Sequence, residues 1–128
     1  MEDNRYEIFI DEKQKIIQYK HWGILKIEDI GEAWQQLLKT EEFTKMGYNL
    51  LSDYSEADFN FSVGNTMIVW DFFKSIQHIL RNKKEAVIAT NPFTTAISIL
   101  FENEAYKNLN FEVKTFTTRD VALDWLRK

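Results

Sequence analysis

The residue types best able to do chemistry gather between positions 53 and 70. Asp53, Ser55, Glu56 and Asp58 set three carboxylates and a hydroxyl close together, a group that in principle holds a cation or forms a general acid–base pair. Their spacing follows no established ligand loop, and Asp and Glu are ordinary, mostly exposed loop residues. The run therefore reads as a solvated acidic loop. Phe59 and Phe61 come next and form a candidate hydrophobic recognition lip, or satellite core if that loop folds back on the sheet. Ser62 stands where a helix N-cap is expected. The two histidines, His21 and His78, have neither a carboxylate nor a second His at ligand spacing and read as structural or surface groups. The chain has no cysteine, which removes disulfides, thiolate metal sites and thiol nucleophiles. Its four glycines, at 23, 31, 47 and 64, build neither a nucleophile elbow nor a phosphate cradle. No catalytic residue, metal site or cofactor is expected.

Periodicity gives the elements that must position these residues. Residues 6–10 alternate and residues 16–22 are rich in β-formers, so they predict an amino-terminal hairpin, closed by Gly23. From Ile27 the apolar positions Ile30, Trp34, Leu37 and Leu38 recur at helical spacing, with Glu28, Asp29 and Glu32 suiting the positive helix start. Residues 41–47 read as a charged connection, 48–53 as a short strand and 54–61 as a loop. A second helix is expected over 62–80, its end marked by Arg81, Lys83 and Lys84. The apolar run 86–89 predicts a strand buried on both faces, and Asn91-Pro92 predicts a cap and first helical position for a third helix over 93–107. Residues 111–116 read as the last strand. Thr117 or Thr118 then caps a terminal helix whose apolar side is Val121, Ala122, Trp125 and Leu126.

At 128 residues, 45% hydrophobic and 28% charged, with ten Phe and four Trp, the chain is expected to form one domain over residues 1–128. The order β-β-α-β-α-β-α-β-α makes it α/β. Each later strand is reached through a helix, so a right-handed superhelix with a mixed, mostly parallel sheet of about five strands and about four helices is the economical outcome. The net charge of −4 works against a nucleic-acid partner. The acidic start MEDNRYE has no apolar segment, and no membrane span is readable. A cytoplasmic protein is expected, in keeping with the missing cysteines.

Three local patterns, YEIFIDEKQKIIQYKHWG as opening hairpin, YNLLSDYSEADFNFS before the second helix, and FTTRDVALDWL at the close, together with the element order, make the whole chain resemble the SpoIIAA-like group. These are relatives of the STAS domains of anti-sigma-factor antagonists, with a fold shared in outline by Sec14-type lipid-binding domains. The resemblance implies a SpoIIAA-like fold and a regulatory role. In STAS antagonists a phosphorylatable Ser sits where a strand ending in Asp turns into the second helix, so Ser62 is the positional equivalent, although the family's Asp-Ser-Ser-Gly signature is absent. A phosphate there would meet free amides at a helix start.

On the second helix, Ile68, Val69, Phe72, Phe73, Ile76, Ile79 and Leu80 fall on one wide core face. Met67 and Trp70 fall on the opposite side among Asp71, Lys74, Gln77 and His78, a candidate partner surface. On the third helix Ile99 and Tyr106 stray from the stripe Phe93, Ala96, Ile97, Leu100, which gives self-association as a homodimer a second surface. The leading expectation is thus a non-catalytic regulatory or protein-interaction module, with Asp53, Ser55, Phe59, Phe61, Ser62, Met67 and Trp70 as candidate binding residues. Two alternatives stand beside it: a carrier of a small apolar ligand or lipid, which the Sec14 relationship implies, and an enzyme using the Asp53, Ser55 and Asp58 region.

Overall fold

The computed structural model describes residues 5–128, apart from the side chains of residues 103, 104 and 106. The hairpin forms as expected: β1 (Tyr6–Asp11) pairs antiparallel with β2 (Ile16–Leu25), setting Ile8 opposite Tyr19 and Ile10 opposite Ile17. Asp11 fixes the turn by accepting the Gln14 amide at 3.1 Å and its side-chain NH2 at 2.7 Å. Gly23 does not close this hairpin. The strand runs through it to Leu25, because Gly23 takes φ +84°, a conformation that costs glycine little. The Arg5 side chain lies 3.4 Å from where a Cβ would stand.

Three parallel steps follow the hairpin, and the sheet order is β1-β2-β3-β4-β5. The later strands are β3 (Asn49–Phe59), β4 (Lys84–Ile88) and β5 (Glu112–Phe116). Three crossovers stepping in one direction, each of the usual hand, must stack their helices on one face. That face carries α1 (Ile27–Leu37), α2 (Glu41–Thr44), α3 (Thr66–Ser75), α4 (Gln77–Leu80) and α5 (Pro92–Leu109). Tyr19, Leu50, Tyr54 and Val87 of the sheet meet Trp34, Phe43, Phe73 and Leu80 there. The other face is covered by α6 (Arg119–Leu126), whose Ala122 and Leu126 pack on Ile16, Leu51, Ala86 and Ile88. With helices on both sides, residues 86–89 are buried as the uninterrupted apolar run predicts.

Several boundaries are corrected. Residues 54–59 are not a loop but the second half of β3, which reaches Phe59 opposite Leu25. Between the pairs Lys20–Asp53 and Trp22–Glu56 the register shifts, so β3 holds one residue more than β2. This bulge puts buried Tyr54 and Ala57 three apart and breaks the period of two. Residues 41–44 of the charged connection are helical. The helix expected over 62–80 is three pieces: a 3-10 turn (Val63–Asn65), α3 and α4. The Ser75 hydroxyl donates to the Phe72 carbonyl at 2.6 Å, the acceptor the Ile76 amide would use in a continuous helix. That amide bonds Phe73 O instead, and the helix breaks there.

The helical faces shift too. Ile68 is 56% exposed rather than core. Along α5 the buried stripe is Thr94, Ile97, Ser98, Ala105 and Leu109, while Phe93, Ala96 and Leu100 lie outward, one residue out of phase with the expected stripe. Asn91 sets this phase: its Oδ1 accepts the Phe93 and Thr94 amides at 2.8 and 3.2 Å, while its NH2 donates to Asp58 Oδ1 at 2.5 Å and ties the helix start to the end of β3. Ile99 is exposed as expected; the Tyr106 side chain lies outside the described residues.

Candidate binding cavity

The residues singled out from the sequence do not converge on one site. Asp53 and Ser55 serve the bulge of β3: Asp53 Oδ1 accepts from the Ser55 amide at 2.9 Å and from its hydroxyl at 2.6 Å. Glu56 pairs with Lys20 on the opposite face from the helix layer, and Asp58 holds Asn91. The three carboxylates are thus engaged locally, and among the described residues no three His, Asp or Glu side chains gather as a metal site. Ser62 is exposed at the start of the 3-10 turn, where its hydroxyl donates to Asn65 Oδ1 at 3.1 Å instead of capping α3. A phosphate on it would face a three-residue turn rather than the start of a long helix, which weakens the expected attraction.

Met67 and Trp70 do form a surface. Met67 is 67% exposed, and Trp70 rests half-buried with its ring centre 6.5 Å from that of Phe101. With Thr66 and Leu100 they line a shallow groove between α3 and α5. Because α5 turns Phe93, Ile99 and Leu100 outward, the apolar surface spans both helices.

Phe59 and Phe61 belong elsewhere. Their rings stack at 4.8 Å and 28°, and Phe59 meets Tyr54 edge-on at 5.1 Å. Both phenylalanines line a cavity of about 60 Å³ between the sheet and helices α1, α3 and α5, together with Trp34, Tyr54, Phe73 and Phe101. Ile30, Trp34, Val69 and Phe73 line both this cavity and an open groove of about 280 Å³ between α1 and α3. A route from solvent thus adjoins the interior.

Among the described residues the cavity wall carries one carboxyl group, that of Glu85 from β4. It is paired between Leu50 and Val113 in the middle of the sheet and is only 5% exposed. Strand alternation puts Glu85, Val87 and Ala89 on the face that carries α1 to α5. Two hydroxyls converge on it: Tyr19 donates to Oε2 at 2.9 Å, and Ser52 donates to the same oxygen. Among the described residues no side chain reaches Oε1. Burial pushes the Glu85 carboxyl above its ordinary range, against the opposing pull of the two hydroxyl donors. Burial and the Glu85 charge together hold the Tyr19 phenol well above its usual value.

Beside this group lies His21, fully buried, stacked on Tyr54 at 5.0 Å and 26° and edge-on to Tyr19 at 5.4 Å. Neither ring nitrogen has a hydrogen-bond partner among the described residues. Burial depresses its pKa to about 4, so the imidazole is neutral in the fold at neutral pH. The sequence reads His21 as a structural or surface group, and the structure makes it a buried one; Glu85 is not singled out there. A glutamate following Lys83-Lys84 looks like part of a charge run, and only the alternation of Glu85 with Val87 marks it as inward.

A crystal structure of an uncharacterized protein of the DUF3478 family from Shewanella loihica PV-4, described as having a SpoIIAA-like fold, superposes with a TM-score of 0.61 at 21% identity, covering 98% of each chain. The fold of this chain is therefore SpoIIAA-like, as its motifs and element order imply. No protein-family model matches the chain, and no curated protein matches it. No described helix is long and apolar enough to cross a membrane.

Proposed function

We propose that the chain is a non-catalytic binding module that takes a small, mostly apolar molecule into the cavity beneath α1, α3 and α5. One observation carries the reading: a carboxyl buried at the centre of the sheet forms the polar spot in a wall otherwise made mainly of aromatic and aliphatic side chains. Concave apolar pockets with a few convergent polar groups and a perturbed titratable residue are the usual form of small-molecule sites. Protein isolated without denaturant should show, in native mass spectrometry, one consistent added mass that disappears when the chain is unfolded. A clean apo mass from several preparations, with a cavity too tight to admit xenon in solution NMR, would defeat the reading.

A second reading, association through the α3–α5 surface, is favoured by the outward Met67, Ile68 and Leu100 beside Trp70. Large apolar residues gathered on one surface mark interaction sites. Trp70→Ala should then weaken self-association or partner capture in sedimentation velocity, at a stability cost of about 1–2 kcal/mol, below the 3–5 kcal/mol typical of a core Trp. Global unfolding of the variant would assign Trp70 to the core instead.

A further inference from the structure

We infer that the molecule this cavity accepts carries one positive charge on a tertiary or quaternary ammonium head seated against Glu85, with an apolar body along the groove between α1 and α3. The inference rests on the cavity-binding reading above and names the chemistry of its ligand.

Charge complementarity comes first. Glu85 lines the cavity, and no Lys, Arg or His is among the lining residues. A carboxyl removed from water is retained at a cost unless a cation or a full set of donors offsets it. Among the described residues, side-chain donors reach only Oε2, from Tyr19 and Ser52. Both hydroxyls donate to Glu85, which suits a carboxylate. What the arrangement lacks is a positive charge on the Oε1 side.

The lining then selects the kind of cation. Six aromatic residues, Trp34, Tyr54, Phe59, Phe61, Phe73 and Phe101, surround the space, and aromatic rings attract alkylated ammonium groups through their negative faces. A primary ammonium presents three N–H donors. Besides Glu85, the lining side chains with oxygen are Tyr54 and Ser98, so side-chain acceptors for three N–H groups are few. An alkylated head needs fewer acceptors and fills an aromatic lining better. Size agrees: about 60 Å³ suits a compact head, while the adjoining groove of about 280 Å³ is lined by Ile27, Ile30, Ile68, Val69 and Phe72 and suits a short hydrocarbon body.

Three probes of matched shape test the head group on the intact chain: hexyltrimethylammonium, its uncharged carbon isostere 2,2-dimethyloctane, and octanoate. Binding is read by titration with ¹H–¹⁵N NMR, following the indole of Trp34 in the cavity against that of Trp22 on the opposite sheet face. The expected result is perturbation of Trp34, with the ammonium bound about tenfold or more tightly than the isostere and octanoate weakest. In Glu85→Gln, which keeps an oxygen for Tyr19 and Ser52, the ammonium should lose its advantage while the isostere still binds. An isostere that binds wild type as tightly as the ammonium overturns the head-group inference and leaves the cavity reading standing. Failure of all three probes to move Trp34 sinks the cavity reading and this inference with it. The wild-type comparison decides the question even if Glu85→Gln does not fold.

Discussion

Replacing Trp34 with alanine is expected to cost about 3–5 kcal/mol, a large share of the roughly 5–15 kcal/mol that a domain of this size has in total. The indole is 2% exposed and sits where α1, α2, α3 and the sheet meet. Its ring centre lies 5.0 Å from that of Phe73, 5.7 Å from Phe43, 6.2 Å from Phe72 and 6.4 Å from Tyr19. Truncation removes the shared partner of all four rings, and α1 cannot close the gap without leaving Ile30 and Leu37 partly uncovered. Urea denaturation is the check: with a slope near 1–3 kcal/mol per molar, the midpoint should fall by about 2 M or the variant should be unfolded in buffer. A loss under about 1 kcal/mol would mean that the helix layer is not held through this residue.

The second large effect belongs to His21 and depends on pH. The folded chain holds the imidazole at about 4 against an ordinary value of 6.5. Between those values the unfolded chain takes up a proton that the folded chain refuses, so stability falls as pH drops from about 6.5 to about 4 and this group adds no further loss below that. The full drop is about 3 kcal/mol. His21→Phe keeps an aromatic ring between Tyr54 and Tyr19 and has nothing to titrate, so its advantage over wild type should grow from pH 7 to pH 4.5. Glu85 acts in the opposite sense. Its folded value is raised, so its contribution is lost as pH rises from the ordinary carboxyl value through the raised one. Urea midpoints of wild type and His21→Phe at pH 7, 5.5 and 4.5 test the claim. Parallel curves for the two proteins would show that His21 is hydrated or partnered in solution.

The sequence makes the framework readable because framework elements carry strong local signals. Asn91-Pro92 marks a helix start through a side-chain cap and a fixed φ, and the run 86–89 marks a strand because only a doubly covered strand is apolar without alternation. The second half of β3 escapes for a physical reason. The bulge at Ser55 resets the pleat, so Ser55, Glu56 and Asp58 look like a loop although Tyr54, Ala57 and Phe59 face the helices. The phase of α5 escapes because apolar residues stand all around that helix, and the deciding contact, Asn91 to Asp58, is long-range. The cavity is hidden most deeply. Phe59 and Phe61 are visible as candidates, but Glu85, Tyr19 and Ser52 come from three strands and meet only once the sheet has assembled.

The two outermost strands bear on how copies of this chain can meet. Among the described residues, β1 and β5 each leave one side without a neighbouring strand. Yet β1 alternates Glu7, Phe9 and Asp11, and β5 carries Glu112 and Lys114 among its five residues. Two β1 strands laid side by side would set carboxylates against carboxylates, a common protection against sheet-to-sheet joining. Growth of the sheet from molecule to molecule is thereby discouraged at its acidic margin, and any pairing of copies is steered toward the outer sides of the helices.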